Sequence, residues 1–114
     1  MAFKAGSLNH AKGFVINKLF EQKRRGAKHL AIEDLPTGYP PNWRGLLPKA
    51  IDELKAEGII RVQRKRTQRG YGEHLTLIWE RLSKARGLLN GYRAAVKLPR
   101  VGKDLETFLP VPRT

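Results

Sequence analysis

The periodicity of the apolar residues changes abruptly at Gly58, and this change limits the folds that are open to the chain. Before the glycine, four apolar residues recur at helical spacing: Leu47, Ala50, Ile51 and Leu54. After it, residues 60–63 alternate between apolar side chains and basic or polar ones, which is the period of a half-buried strand. The sequence therefore predicts a helix that Gly58 ends, followed directly by a strand.

A second alternating stretch completes a predicted two-stranded hairpin. In residues 74–80, every second side chain falls on one face: Leu75, Leu77 and Trp79. We expect this face to sit on the helices. Residues 68–72, Gln-Arg-Gly-Tyr-Gly, predict the turn, with the arginine-rich arm beside it and away from the core.

An apolar stripe at helical spacing predicts a first helix from Ser7 to Arg25. Its members are Leu8, Ala11, Val15 and Leu19, widened by Ile16 and Phe20. Lys12 and Lys18 fall mostly on other faces. Ser7 is a good N-cap, and Gly13 inside the helix predicts a point of close packing.

The segment between the two helices contains short elements and one ambiguity. We expect an extended piece over residues 28–31 and one helical turn over 32–35, stopped by Pro36. Pro48 leaves two interpretations open. The favoured one starts the second helix at Pro48, with residues 43–47 as a separate turn. The other starts it near residue 42, with a kink.

Beyond residue 80, a heptad-like seam predicts a C-terminal helix over residues 81–98, ended by Pro99. The seam consists of Leu82, Ala85, Leu89, Tyr92 and Val96. This seam could pack against the same seam of a second chain in a homodimer, which we favour. Alternatively, it could pack back on the first helix of its own chain. The predicted organisation is a domain over residues 7–80, this helix, and a tail over residues 99–114.

The charge balance indicates a polyanionic partner. The chain has 23 Lys and Arg against 10 Asp and Glu, a net charge of +13. Such a chain repels itself and attracts polyanions, of which nucleic acid is the commonest in a cytosol. Adaptation to heat usually adds acids and bases together. Residues 61–103 hold twelve bases and only Glu73 and Glu80, so the second half is expected to carry the binding surface.

The stretch LPKAIDELKAEGIIRV, residues 47–62, resembles the recognition helix and first wing strand of the winged-helix family. In that family a leucine-spaced helix closes with Glu-Gly, continues with two aliphatic residues and enters a hairpin called the wing. Gly70 and Gly72 stand at the corresponding tip, and the likeness covers roughly residues 8–79. The resemblance implies an α+β winged helix-turn-helix fold with a two-stranded basic wing, followed by a C-terminal helix and tail.

The resemblance further implies that the recognition helix lies in the DNA major groove and that the wing reaches a minor groove or flanking phosphates. The outer side of this helix is mixed in sign: Lys49, Asp52, Glu53, Lys55 and Ala56. Its acids would repel phosphates, and the spacing of Lys49 and Glu53 indicates a surface pair. We therefore expect the wing to make most of the contacts with DNA phosphates, because cations cluster around its turn.

The predicted DNA-binding residues follow from this reasoning. Trp43 and Arg44 precede the recognition helix, where backbone amides can also meet a phosphate. Tyr71 could stack on a base or pack on a sugar, and the end of the first helix adds a second basic patch. The full set is Arg64, Lys65, Arg66, Arg69, Tyr71, Arg44, Trp43, Lys49, Arg61, Arg25 and Lys28. Outside this set, the C-terminal segment carries six further basic residues: Arg81, Lys84, Arg86, Arg93, Lys97 and Arg100.

The sequence contains no pattern typical of catalysis, and we expect no enzyme activity. The three histidines lie on different elements, and there are no cysteines to form thiolate metal sites. No metal, cofactor or small-molecule ligand is expected. No apolar run approaches the ~20 residues that span a bilayer, and the C-terminal seam lacks the Trp or Phe of a membrane-surface helix.

The sequence therefore favours a small protein that binds double-stranded DNA, mainly through phosphate contacts. Its expected role is that of a nucleoid-type protein or a compact transcription regulator in the cytoplasm. One alternative is an RNA- or ribosome-associated module that uses the same basic surface. Another is a protein–protein adaptor whose charge is incidental.

Overall fold

The computed structural model describes residues 3–24, 26, 30–67 and 70–101. In this part of the chain, three α-helices and a three-stranded antiparallel sheet form an α+β fold. The first helix, α1, spans Leu8–Arg24. Ser7 caps it as predicted, because its Oγ accepts a hydrogen bond from the backbone N–H of His10 at 3.2 Å. The predicted last residue, Arg25, lies outside the described residues.

Helix α1 is buried along most of its length because other helices cover two of its sides. Helix α2, Leu47–Ala56, packs on one side, and helix α3, Leu82–Ala95, packs on the other. The predicted apolar stripe lies in the core. Lys12, which we expected on another face, is only 7% exposed. The predicted buried face of α1 was too narrow. The sequence predicts one apolar stripe, whereas both α2 and α3 pack on this helix.

The favoured interpretation of the Pro48 region is confirmed. A 3-10 helix, Pro41–Leu46, leads directly into α2. Pro48 lies in the first turn of α2, where a missing backbone N–H breaks no helical hydrogen bond. The four predicted apolar residues of α2 are buried. Gly58 has a φ of 75°, a conformation that favours glycine, and it ends the helix as predicted.

The predicted hairpin is confirmed, but its strands differ from the prediction. Strand β2 spans Ile60–Thr67 and strand β3 spans Gly70–Leu77. The turn was predicted too long, because only residues 68 and 69 stand between the strands. Trp79 was wrongly assigned to the second strand and belongs to a 3-10 helix, Trp79–Arg81.

The prediction of two strands was also incomplete. The expected extended piece forms strand β1, Leu30–Ala31, which pairs antiparallel with β3 and makes the strand order β1-β3-β2. The following turn forms a 3-10 helix, Ile32–Asp34, as expected. Strand β2 therefore lies at the free edge of the described sheet.

Helix α3 packs back on α1, which is the second of the two predicted uses of its seam. Four seam residues are buried within the chain: Leu82, Ala85, Leu89 and Tyr92. Val96, at 40% exposed, is the seam residue on the surface. A homodimer through this seam stays a prediction, and α1 already covers most of the surface that it would use. The helix ends at Ala95, before the expected stop at Pro99.

Gly13 allows the close approach of α1 and α3. A Cβ at this position would lie 2.5 Å from Cβ of Tyr92 and 2.6 Å from the backbone oxygen of Leu88. Both distances are too short for real contacts. The predicted close packing at Gly13 is therefore confirmed.

The chain folds back on α3 after the helix ends. Nε of Arg93 donates to the backbone oxygen of Pro99 at 2.6 Å. The Asn90 side chain makes two hydrogen bonds with the backbone of Val101, at 2.9 and 2.8 Å, and Val101 is fully buried. The predicted tail thus begins with a packed segment, and residues 102–114 lie outside the described residues.

A buried aromatic cluster joins α1, α3 and the loop before α2. Nδ1 of His10 and the hydroxyl of Tyr39 lie 2.7 Å apart, and the His10 ring also contacts the rings of Trp43 and Tyr92. Burial lowers the pKa of His10. Burial, together with the nearby Tyr92, raises the pKa of Tyr39 to about 12. The cluster therefore favours the neutral form of His10.

We predict opposite effects for two glycine substitutions. Gly13→Ala should lower the free energy of unfolding by about 1–3 kcal/mol, because its methyl group overlaps α3. Gly87→Ala is the matched control, since a Cβ there meets nothing within 4 Å, and it should raise stability by about 0.5–1 kcal/mol. Urea unfolding measures both. Equal stability of the Gly13→Ala variant and the wild type would contradict the close contact.

We also predict that His10 makes stability depend on pH. Because its pKa is lowered in the folded protein, the unfolded chain binds the proton first as the pH falls below about 6.5. The contribution of neutral His10 is fully present above that pH and is lost as the pH falls through its lowered pKa. Urea unfolding at several pH values should show a shallower loss for His10→Gln than for the wild type. Parallel losses would contradict the prediction.

Candidate nucleic-acid interface

Strand β2 concentrates positive charge at the free edge of the sheet. It carries four cations and no acid: Arg61, Arg64, Lys65 and Arg66. Arg61 and Arg64 are exposed. The backbones of Lys65, Arg66 and Tyr71 lie in the strand ladder, while their side chains lie outside the described part of the structure. Arg69 lies outside the described residues altogether.

The strand register puts Arg61 and Arg64 on opposite faces of the hairpin. Arg64 pairs opposite Glu73 and lies on the same face as Val62. Arg61 pairs opposite Thr76 and belongs to the other face. Residues 64–66, which we expected beside the turn, are paired residues of β2 next to it. The hairpin thus carries exposed cations on both of its faces.

Lys12 pairs with two acids of the expected recognition helix and offsets one of their two negative charges. Its Nζ forms ion pairs with Glu53, at 3.4 Å, and with Glu57. Burial by itself lowers the pKa of Lys12, but the hydrogen bonds and negative charges of Glu57 and Glu53 outweigh this effect and raise it. We expected Lys49 to pair with Glu53, and the structure instead gives Glu53 a partner from α1. The other charged residues of α2, Lys49, Asp52 and Lys55, are exposed.

A groove of about 330 Å³ separates α2 from the hairpin. Its walls include apolar residues of both sides, among them Ile51 and Val62. Charged side chains of both signs also line it: Arg44, Asp52, Lys55 and Glu73. The exposed side of α2 and the hairpin face that carries Val62 therefore line the same groove. Arg44 lines this groove as well.

Trp43 and Arg44, the two predicted DNA-binding residues that precede α2, lie in different environments. Trp43 is half-buried in the aromatic cluster, with its ring 5.5 Å from that of His10 and 5.9 Å from that of Tyr39. Arg44 is exposed, and its Nε donates to the backbone oxygen of Tyr39 at 2.9 Å. Of the two, Arg44 is better placed to meet a phosphate.

Other cations are held by internal partners. Nζ of Lys18 donates to backbone oxygens of Asp34, at 2.9 Å, and of Leu35 and Thr37. Arg93, counted among the C-terminal basic residues, is 3% exposed, and its Nη1 binds Asn17 and Glu21 of α1. Arg93 is therefore removed from the predicted basic surface. Arg25 and Lys28, the expected second patch, lie outside the described residues.

Two cations of this region were missing from the predicted site. Lys55 lines the groove, and helical spacing from Asp52 could have indicated this. Lys12 pairs with Glu53 of α2 and with Glu57 at the end of that helix, but no local pattern joins it to residues more than 40 positions away.

The described residues contain no group of three or more His, Asp or Glu side chains that could hold a metal ion. In the same part of the chain, no helix has the length and apolar character needed to cross a membrane. No protein-family model matches the chain, and no curated protein or solved structure is significantly similar to it.

We predict that Lys12 is the main counterion of α2. Lys12→Met keeps the aliphatic stem but leaves Glu53 and Glu57 without their cation. It should lower the free energy of unfolding by about 1–3 kcal/mol, less than for a fully buried pair because both carboxylates are over one-third exposed. The raised pKa makes this contribution present below about pH 10.4, and it is lost as the pH rises through the folded-state pKa.

Lys49→Met is the matched control, since it removes a cation one turn from Glu53 on the exposed side of α2. Its effect should stay within about 0.5 kcal/mol, as at other exposed positions. Urea unfolding at neutral pH compares the two variants. If Lys49→Met is the more destabilising of the two, Lys12 is not the main counterion.

Proposed function

We propose that this protein binds double-stranded DNA, mainly through contacts between the basic hairpin and phosphates. The observation that carries the proposal is the presence of exposed cations on both faces of an edge strand. Arg61 lies on one face and Arg64 on the other, and Glu73 is the only acid in the two strands. Like charges at this density repel each other, and a phosphate backbone removes that repulsion.

A partner that contacts Arg61 and Arg64 together must reach both faces of the hairpin. A flat acidic surface would meet one face at a time. The groove of a duplex has a phosphate strand on each side, so a hairpin inserted into it has negative charge on both faces. A narrow minor groove also concentrates negative potential and attracts arginine. We therefore favour a duplex groove as the site of the hairpin.

Protection of the sheet edge is the simplest other role for these cations. Charged side chains on an edge strand prevent pairing with another chain, and either sign of charge serves this purpose. Strand β2 uses only cations, in a chain with a net charge of +13. The uniform sign favours a polyanionic partner over edge protection alone.

Helix α2 is proposed to meet the same duplex beside the hairpin. Its exposed charged residues are Lys49, Asp52 and Lys55, and Lys12 pairs with the half-buried Glu53 and Glu57. This makes α2 a better surface for phosphates than its sequence indicated. The order of helix, short strand, helix and hairpin supports the resemblance to winged-helix proteins. We accordingly propose α2 as the recognition helix.

Binding of this kind tolerates many sequences, since phosphate contacts fix position but carry no base information. This suits a nucleoid-type protein, or a regulator of modest specificity. Competition between duplex DNA and structured RNA tests the choice of nucleic acid. Preference for the RNA would replace the DNA proposal with the RNA- or ribosome-associated module.

We predict a strong dependence of affinity on salt. If about five phosphates are neutralised by the hairpin, the logarithm of the association constant should fall with the logarithm of salt concentration at a slope of about −4 to −5. The variant Arg61→Gln/Arg64→Gln should reduce the magnitude of this slope by about two and weaken binding to all sequences alike. Fluorescence anisotropy with a random-sequence duplex measures both effects.

The matched control is Lys4→Gln/Lys97→Gln, which removes the same charge from exposed residues outside the hairpin. It should keep a slope within about one of the wild-type value. Affinity that does not respond to salt would contradict the proposal. Equal weakening by the two double variants would also contradict it, since net charge alone would then explain the binding.

A further inference from the structure

A second basic groove lies on the outer side of α3, away from α1. Its volume is about 460 Å³. Two cations line it, Arg86 of α3 and Arg100 of the segment that follows the helix. Among the described residues that line it, none is acidic, in contrast to the groove beside α2, which contains Asp52 and Glu73. We call it the α3 groove.

The shape of the α3 groove follows from its small residues and from the segments that border it. Gly87 has no side chain, and nothing lies within 4 Å of the position that a Cβ would take. The backbone N–H of Phe3 donates to the oxygen of Gly91 at 3.1 Å, which sets the Phe3 ring as one wall. On another side stands Leu98, which is 41% exposed.

The position of Arg100 is fixed by the residues on either side of it. Pro99 accepts a hydrogen bond from Arg93, and Val101 is bound through its backbone to Asn90 and fully buried. The backbone of Arg100 is therefore held beside α3 before any ligand arrives. Fixing a cation in advance lowers the entropy that its contact with a ligand would otherwise lose.

The chemistry of the lining fits a nucleic-acid backbone. Guanidinium groups bind phosphate oxygens with two parallel hydrogen bonds, and no carboxylate lines the groove to compete for them. The hydroxyl of Ser83, also in the lining, can bind a phosphate. The apolar walls formed by Phe3 and Leu98 suit a sugar or the face of a base.

The α3 groove and the groove beside α2 share no lining residue. Helix α1 packs against α2 on one side and α3 on the other. The α3 residues that face α1 include Leu88 and Tyr92, whereas Gly87 faces open space. The α3 groove is therefore a surface separate from the one that we assign to the first duplex.

We propose that the α3 groove binds the phosphate backbone of a second nucleic-acid segment, so that one protein molecule joins two duplexes. This inference rests on the proposed binding of the first duplex by the hairpin. It adds a second site, built from Arg86 and Arg100, and a bridging activity that the hairpin alone does not provide.

A capture experiment tests the bridge. A biotin-labelled duplex is immobilised with the protein, and the recovery of a second, fluorescent duplex is measured. Anisotropy measures the affinity for a single duplex in the same preparations. The wild type should recover the second duplex. Arg86→Gln/Arg100→Gln should reduce recovery about tenfold and change single-duplex affinity less than about threefold, because the hairpin is intact.

Gly87→Leu tests the groove itself, because it fills the space without changing any charge. It should also abolish recovery. The matched control Arg81→Gln/Lys97→Gln removes two exposed cations that border the same helix but do not line the groove. This control should recover the second duplex as the wild type does. Circular dichroism and urea unfolding verify that each variant is folded.

Each outcome decides between the proposals. Wild-type recovery by both groove variants overturns the second site. Light scattering then shows whether the protein is a dimer that holds one duplex on each of its two hairpins. Such a dimer would recover the second duplex without the α3 groove, so this result also overturns the second site. Single-duplex binding without any recovery of the second duplex overturns the bridge and leaves the proposed function standing. Absence of single-duplex binding overturns both.

Discussion

The burial of α1 on two sides is the constraint on which the rest of the architecture depends. Helix α2 covers one side and α3 the other, and both contacts need unusual residues on α1. Gly13 lets the backbone of α3 approach, and Lys12 supplies a cation to the acids of α2. Since α1 separates its two neighbours, the outer sides of α2 and α3 become distinct surfaces of the molecule.

The fold also divides the positive charges into two groups. Some cations stabilise the molecule from inside: Lys12, Lys18 and Arg93 bind carboxylate or carbonyl oxygens of other elements. Others, including Arg61, Arg64, Arg86 and Arg100, lie on surfaces that could meet a polyanion. Net charge alone does not distinguish these groups.

Sequence reasoning succeeded where a few neighbouring residues decide the local conformation. Ser7 caps α1, Pro48 stands in the first turn of α2, and Gly58 ends that helix in a conformation that glycine adopts most easily. It failed where contacts between segments far apart in the sequence decide the conformation or the burial of a residue. Trp79 continued an alternating pattern but lies in a 3-10 helix, and the polar character of Lys12 gave no sign of its burial between α1 and α2.

The sequence by itself determined the order of the main helices and the hairpin, the apolar face of α2, and the excess of positive charge, because spacing and composition are properties of the chain alone. Only the tertiary structure decided which cations face outward, that the strand with Arg61 and Arg64 lies at the edge of the sheet, and that a basic groove forms beside α3. These features depend on contacts between residues far apart in the chain. Such contacts arise from the packing of whole elements, which local periodicity does not encode.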